Sequence, residues 1–255
     1  MIFRKIKPKI TKILKKILSK IENEKKIVST SKKNLDIFST FATEREWQQI
    51  TMYCHVMNEI RDIPGDIAEF GVASGTSFLP LVRLNDVFDN YKHHQVAKRS
   101  LYGFDTFEGL PYFDQNKDTG KNEVPDMKIG GFNAKNEYEI LKNKISKFKN
   151  VKLYKGTFEK TIPEFLKDNN HVSFSLLHID CDLHQSTLTT LKYLLPRLNV
   201  GGIILFDEIF HLNYPGETSG FFEAYNSLIE NDNKITIKFK RLKSMPWKWY
   251  GTRIR

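Results

Sequence analysis

The sequence predicts an α/β domain in which helices cover both faces of a mostly parallel sheet. Short apolar segments alternate regularly with helical segments from Asp66 onward, which is the pattern of consecutive strand–helix–strand units. The 255 residues are 40% hydrophobic and 27% charged, an ordinary composition for a soluble globular chain that is long enough to bury a sizeable core.

The N-terminal segment is predicted to form a basic amphipathic helix, because isoleucine and leucine recur at three- and four-residue steps over residues 6–21. Residues 1–33 hold 12 Lys/Arg and 2 acids, whereas the rest of the chain holds 28 of each. The lysine face fits an anionic membrane surface or an acidic partner, and the apolar face could instead pack on this chain or on a second copy. We therefore divide the chain into a basic arm and linker, 1–34, and a catalytic domain with a helical extension, 35–255.

The remaining elements follow in order along the chain. A helix is predicted to begin near Thr43, since Thr43 and Glu46 have capping-box spacing, and to end before Pro64-Gly65. Later helices are predicted near 76–88, before 148, at 158–167, through 188–198 and through 221–229. Strands are predicted at 67–70, 101–104, 151–154, 174–179 and 203–206, with a closing pair near 235–239 and 249–254 that adds an antiparallel edge.

Charge and cysteine content argue against several classes of protein. The domain outside the arm is formally neutral, which disfavours nucleic-acid binding. Cys54 and Cys181 are the only cysteines, which is too few for a disulfide framework or a cysteine-rich zinc site and fits a reducing, cytoplasmic compartment. No apolar run approaches the roughly 20 residues of a transmembrane helix, and the N-terminus lacks the apolar region of a signal peptide.

A glycine-containing loop follows the first predicted strand. Gly71 and Gly75 allow a tight turn and close approach of a ligand, and the loop leads into the N-terminus of a helix. The glycine spacing differs from that of dinucleotide-binding loops. Glu69 suits the cationic methionine part of a ligand better than a pyrophosphate. The alternative is an ordinary strand-to-helix turn.

Asp105 closes the second predicted strand. A carboxylate at this position can accept hydrogen bonds from both ribose hydroxyls of an adenosine. The alternative is that Asp105 only begins the following turn.

Four acids follow two further strands. Asp180 and Asp182 come after the fourth strand, and Asp207 and Glu208 after the fifth. Carboxylates this close repel each other unless a cation lies between them, and an oxygen-only ligand set favours Mg²⁺. Alternatively, the acids cap helices or pair with lysines. His178 is expected to be a packing residue, whereas the roles of His184 and His211 stay open.

These segments resemble the macrocin O-methyltransferase family, which methylates sugar hydroxyls of macrolide antibiotics and, in relatives, other glycans. The resemblance covers roughly residues 43–255 and is carried by residues 69–75, 103–111, 178–183 with Ser186-Thr187, and 201–208. It departs from the family at three positions, where Cys181 replaces the usual Gly, His184 the usual Tyr and Glu208 the usual Asp.

The resemblance implies a Rossmann-like, class I methyltransferase fold and a homo-oligomer. It also implies S-adenosylmethionine bound across the first three strand ends, Mg²⁺ held by Asp180, Asp207 and Glu208, and Asp180 as general base. The residues expected to bind the cofactor are Glu69, Gly71, Val72, Ala73, Ser74, Gly75, Thr76, Asp105, Gly156 and Thr157.

The resulting hypothesis is a magnesium-dependent O-methyltransferase that acts on a sugar hydroxyl of a glycan, a glycolipid precursor or a glycosylated natural product. One alternative is a methyltransferase of a catechol-like diol. A second is a non-catalytic, membrane-tethered binding module with the same fold. An NAD-linked oxidoreductase is disfavoured by the glycine spacing and by Glu69.

Overall fold

The structure is a computed structural model that describes residues 44–90, 98–230, 234–243 and 245–255. The chain divides into two compact units, Met1–Gln49 and Ile50–Arg255, and the sheet belongs to the second. The predicted basic helix over residues 6–21 and the predicted boundary at residues 34/35 lie outside the described residues. Both stay predictions.

Among the described residues, no helix combines the length and the apolar character needed to cross a membrane.

Helices and strands alternate through the described chain. The helices are α1 Glu44–Glu59, α2 Phe78–Asn90, α3 Gln115–Asp118, α4 Tyr138–Ile145, α5 Phe158–Asp168, α6 His184–Leu194 and α7 Gly216–Glu230. The strands are β1 Asp66–Phe70, β2 Leu101–Asp105, β3 Val151–Lys155, β4 Phe174–Ile179, β5 Leu198–Phe206, β6 Ile237–Arg241 and β7 Trp249–Arg253.

The seven strands form one sheet in the order β3-β2-β1-β4-β5-β7-β6. β1 to β5 are parallel, and β7 pairs antiparallel with both β5 and β6. The strand order reverses between β1 and β4, and open α/β sheets bind ligands in the crevice at such a reversal, beyond the carboxyl ends of the strands. The predicted fold class is confirmed, including its antiparallel C-terminal edge.

Aromatic residues hold one face of the sheet together. The rings of Phe70, Phe104 and Tyr154 come from three neighbouring strands and stack with successive centroids 4.9 Å apart. Phe165 of α5 packs edge-on against Phe104 at 5.4 Å and against Tyr102 at 4.8 Å. Burial of each such side chain contributes about 2–3 kcal/mol. The packing fixes the strands from which the loops of the site extend.

The long polar segment after β2 contains a short helix that the sequence did not predict. Its N-cap is Asp114, whose side chain accepts a hydrogen bond from the Asn116 amide. The buried Asp118 carboxylate accepts hydrogen bonds from the amides of Asp114 at 2.8 Å and His184 at 2.7 Å. The helix is therefore stabilised by a contact with the start of α6, 66 residues away in the sequence. A contact between such distant residues produces no local sequence pattern that would predict the helix.

Candidate active site

The residues that follow three parallel strands lie side by side at the carboxyl edge of the sheet. The Asp180 amide donates to the carbonyl of Phe70, and the Asp207 amide donates to the carbonyl of Ile179, both at 2.9 Å. The Gly71 amide donates to the carbonyl of Phe104 at 3.0 Å. Each bond extends the parallel ladder by one residue, so Gly71, Asp180 and Asp207 are positioned by main-chain hydrogen bonds.

The loop after β1 is a strained turn that leaves little room for side chains. Gly71 and Gly75 have φ of +95° and +85°, and Ala73 has φ of +45°, which L-residues rarely adopt. A Cβ on Gly71 would lie 1.6 Å from the carbonyl oxygen of Asp180. Ser74 and Thr76 are exposed. Strain of this kind is typical of ligand-binding loops.

Asp105 ties this loop to the end of β2. One carboxylate oxygen accepts a hydrogen bond from the Ala73 amide at 2.8 Å, and the other accepts one from the Phe107 amide at 2.5 Å. Burial raises the pKa of Asp105, although the amides of Ala73, Phe107 and Val72 act to lower it. Each carboxylate oxygen keeps a second lone pair that a ribose hydroxyl could use.

A cavity of about 490 Å³ lies beyond the ends of β2 and β3. The Gly156 amide donates to the carbonyl of Asp105 at 2.9 Å, which brings the two strand ends together. The residues that line the cavity include Thr106, Leu110, Ile129, Gly156 and Thr157. Two of the residues predicted to bind the cofactor, Gly156 and Thr157, thus line a cavity, and a third, Asp105, directly precedes the lining residue Thr106.

Glu69 does not face this pocket. Its side chain is fully buried, and its Oε1 accepts a hydrogen bond from the Ser77 hydroxyl at 2.5 Å. Its Oε2 lies 3.3 Å from Nδ1 of His178. The predicted contact between Glu69 and a methionine ammonium receives no support from this geometry. Glu69 instead links β1 to the residues before α2 and to β4.

Asp180 and Asp182 follow β4 and lie among other acids. Burial raises the pKa of Asp180 well above its ordinary value, and the charges of Asp207 and Asp182 raise it further. Burial and the charge of Asp207 raise the pKa of Asp182 to about 7. Asp182 also has φ of +56°, a strained conformation for a non-glycine residue. Both carboxyls therefore bind protons more readily than ordinary aspartates.

The acids after β5 are held differently from each other. Burial acts to raise the pKa of Asp207, but the ammonium of Lys248 outweighs it, and the pKa lies below its ordinary value. Burial and the neighbouring charges of Asp207 and Glu217 raise the pKa of Glu208 to about 10. The Glu208 amide donates to Oε2 of the buried Glu217 at 2.9 Å. These opposite shifts favour the charged form of Asp207 and the protonated form of Glu208.

Lys248 is a residue of the site that the sequence analysis missed. Its Nζ forms an ion pair with Oδ1 of Asp207 and donates to the carbonyl oxygen of Asp207 at 2.7 Å. The Lys248 side chain is only 12% exposed. No motif marked this lysine, because it comes from the turn before β7, 41 residues away in sequence.

The predicted magnesium site at Asp180, Asp207 and Glu208 is not supported. Their carboxylate oxygens are ligands that Mg²⁺ accepts, but Asp207 is already paired with the Lys248 ammonium. Over the part of the chain that the structure describes, no group of three or more His, Cys, Asp or Glu side chains could hold a metal ion. In this arrangement the three residues do not fit a shared dication.

His178, His184 and Cys181 are buried and contact other protein groups. His178 is 1% exposed and packs edge-on against Tyr53. His184 is 3% exposed, and its Nδ1 lies 2.8 Å from the Ser219 hydroxyl. Cys181 is buried, and burial raises the pKa of its thiol well above the ordinary value, which argues against a nucleophile.

The amino-acid sequence also matches a known protein family. Residues 13–237, most of the chain, match the sequence model of the macrocin-O-methyltransferase family. The chain belongs to this family. The resemblance predicted from the sequence motifs is therefore confirmed.

One relative is demethyldecarbamoylnovobiocin O-methyltransferase of Streptomyces niveus. The two sequences are 27% identical over 154 residues, which cover 58% of this chain and 53% of that protein. The chain spans about half the length of the curated relatives it matches. The crystal structure of CalS11, a calicheamicin methyltransferase, matches with a TM-score of 0.70 at 24% identity, covering 87% of this chain and 85% of that one. Apo CalS11, described as a TDP-rhamnose 3'-O-methyltransferase, matches with a TM-score of 0.61 at 25% identity, covering 86% and 84%.

Proposed function

We propose that this chain transfers a methyl group from S-adenosylmethionine to a sugar hydroxyl, with Asp180 as the general base. The observation that carries the proposal is the position of Asp180, a partly buried acid whose main chain touches the strained turn at Gly71. Membership of the macrocin-O-methyltransferase family supports the reaction. The names of the relatives support a sugar acceptor, because one of them is described as acting on TDP-rhamnose.

The residues at the ends of β1, β2 and β3 fit the methyl donor. The absence of a side chain at Gly71 lets the turn after β1 pack directly against the main chain of Asp180, which places this turn beside the proposed base. The carboxylate of Asp105 can accept the ribose hydroxyls, and the neighbouring cavity, whose lining includes Gly156 and Thr157, can take the adenine. When bound, S-adenosylmethionine supplies a methyl group on a positively charged sulfonium.

The proposed task of Asp180 is to take the hydroxyl proton of the acceptor. Its raised pKa makes the charged form a strong base, and a positive sulfonium nearby would favour that charged form. Asp180 accepts the proton as the acceptor oxygen bonds to the methyl carbon and the bond from that carbon to sulfur breaks. The positive charge disappears in the same step, which leaves Asp180 in surroundings that favour its protonated form.

The proposed acceptor site is a cavity lined by aromatic residues from the segments that follow Glu208 and that flank Lys248 in the sequence. It has a volume of about 790 Å³, and its lining includes Phe210, Trp247, Trp249, Lys121 and Arg241. Trp247 is 56% exposed. Exposed aromatic faces suit the C–H face of a sugar ring, and the two cations suit an anionic group attached to that sugar.

Replacing Trp247 by Ala is expected to raise the KM for the sugar acceptor about tenfold, because an exposed ring that anchors a ligand is lost. The affinity for S-adenosylhomocysteine should stay unchanged, since Trp247 is remote in sequence from the loops that fit the donor. Steady-state kinetics and calorimetry measure the two effects. Val200→Ala removes an equally exposed apolar side chain, 58% exposed, from the start of β5, and it should change neither value. An unchanged KM in the Trp247 variant would place the acceptor elsewhere.

The proposed function is tested by supplying the full chain with S-adenosylmethionine and a panel of acceptors: TDP-rhamnose, methyl rhamnoside and catechol. Formation of S-adenosylhomocysteine and of a methylated sugar is the expected result. Methylation of catechol alone would favour the small-molecule alternative. A chain that binds S-adenosylhomocysteine in calorimetry but methylates nothing on the panel would favour the binding module, and a chain that does not bind it would contradict the proposal. Membrane contact and homo-oligomerisation stay predictions.

A further inference from the structure

Lys248 brings a positive charge into the acid cluster at the end of β4 and β5. We propose that its ammonium takes the position beside Asp207 that a divalent metal would need, so that this chain holds its acids together without a metal ion. The proposal rests on the proposed function only in treating these acids as the catalytic end of the cleft. It concerns a positioning residue, Lys248, that acts through Asp207.

The sheet itself places Lys248 opposite Asp207. Phe206 of β5 pairs with Trp249 of β7 in an antiparallel register. The next residue after Phe206 is Asp207, and the residue before Trp249 is Lys248, so the two meet just beyond the last pair. The main chain of Lys248 is also fixed, because its amide donates to the carbonyl of Met245 at 2.8 Å. The contact therefore follows from strand register and not only from the reach of a flexible side chain.

The contact uses both the side chain and the main chain of Asp207. The Lys248 ammonium pairs with Oδ1 and donates to the carbonyl oxygen at 2.7 Å. The side chains of Lys248 and Asp207 are 12% and 29% exposed. A charge pair this sheltered from water persists only when its partners remain hydrogen-bonded, and the double contact of Lys248 meets that condition.

The charge of Lys248 also reaches the other acids of the cluster. It interacts electrostatically with Asp180, Asp182, Glu208 and Glu217. A dication bound at Asp207 would lie next to the ammonium and be repelled by it. The position is thus filled by a covalently attached cation.

Binding of Mn²⁺ alone, followed by electron paramagnetic resonance of the full chain, tests this proposal. Mn²⁺ accepts the same oxygen ligands as Mg²⁺. Wild type is expected to bind Mn²⁺ weakly, whereas Lys248→Met should bind it at least roughly tenfold more tightly, because a neighbouring like charge has been removed. Lys248→Arg keeps the charge and should resemble wild type. Lys240→Met removes an exposed lysine from β6 and is the matched control.

Two outcomes would overturn the proposal. One is tight Mn²⁺ binding by wild type that disappears in Asp207→Asn, which would show that the lysine does not exclude a metal. The other is a folded Lys248→Met variant with no gain in affinity. If Lys248→Met does not fold, the comparison of Mn²⁺ affinity between wild type and Asp207→Asn still tests the proposal. Neither measurement needs turnover or an acceptor, so a failure here is distinct from a failure to bind S-adenosylhomocysteine.

Discussion

Asp180→Asn is expected to lower kcat for sugar methylation by about 10²–10⁴, the usual contribution of a general base. Asparagine has nearly the same shape but cannot take the hydroxyl proton. Folding should not suffer, because burial and the neighbouring Asp207 already disfavour the charged form of Asp180. We expect an unchanged or higher Tm together with unchanged affinity for S-adenosylhomocysteine. Kinetics, thermal unfolding and calorimetry on one preparation separate these effects.

Asp182→Asn is the matched control for this prediction. It makes the same chemical change two residues away, in a carboxyl whose pKa is about 7. We expect a loss in kcat of less than about tenfold, since Asp182 is assigned no proton transfer. If the Asp182 variant lost far more activity than the Asp180 variant, the role of base would move to Asp182. Wild-type turnover in Asp180→Asn would contradict the base assignment.

Gly71→Ala is expected to reduce the free energy of unfolding by about 3–5 kcal/mol, which combines backbone strain with a severe overlap. The new methyl group would lie 1.6 Å from the carbonyl oxygen of Asp180, an atom of the sheet main chain that cannot turn aside. Any folded fraction should bind S-adenosylhomocysteine poorly, because the separation of β1 from β4 changes the floor of the crevice. Denaturant unfolding and calorimetry measure the two losses.

Gly130→Ala is the control that separates the effect of backbone strain on stability from the effect of the steric overlap at Gly71. Gly130 has φ of +77°, but a Cβ there meets nothing within 4 Å. The substitution should therefore reduce the free energy of unfolding by only about 1–2 kcal/mol, the typical effect of left-handed backbone on a non-glycine residue. Equal losses at Gly71 and Gly130 would show that the approach of Asp180 to Gly71 is not as close as described.

The positions of Asp180 and Asp207 could be predicted because they follow from a local rule. Each comes directly after a short apolar run, and parallel strands deliver their carboxyl ends to one edge of a sheet. Asp105 was predictable for the same reason. The seven strands and their order of appearance also followed from the regular alternation of apolar segments. Element ends differed, as for α2, which begins at Phe78 and not at residue 76, and the short helix α3 was not predicted.

Residues brought in by long-range contacts could not be predicted. Lys248 reaches Asp207 through the antiparallel pairing of β5 with β7, which no sequence spacing encodes. Glu217 lies in the first turn of α7, where an acid is common because it interacts favourably with the helix dipole. In the structure it is buried and accepts a hydrogen bond from the Glu208 amide. These two residues alter the electrostatics of the cluster, and the sequence analysis named neither of them.

For Glu69 the structure gives the predicted contact with a methionine ammonium no support. Its place just before the glycine turn made it a candidate ligand, but it is still part of β1, whose last four residues are all buried. A strand covered on both faces has no solvent side. Glu69 directly precedes the residues of the glycine turn, but because β1 is buried its carboxylate contacts Ser77 and His178 inside the protein.

Main-chain hydrogen bonds hold Asp180 and Asp207, whereas two aromatic residues of the proposed acceptor site, Phe210 and Trp247, lie outside the sheet. The acids are fixed by the same hydrogen bonds that fix the strands, whereas Trp247 and Phe210 project from connecting segments outside that ladder. Segments of this kind tolerate substitution well. Exchange of these exposed rings could therefore change the proposed acceptor site and leave the main-chain positions of Asp180 and Asp207 unchanged.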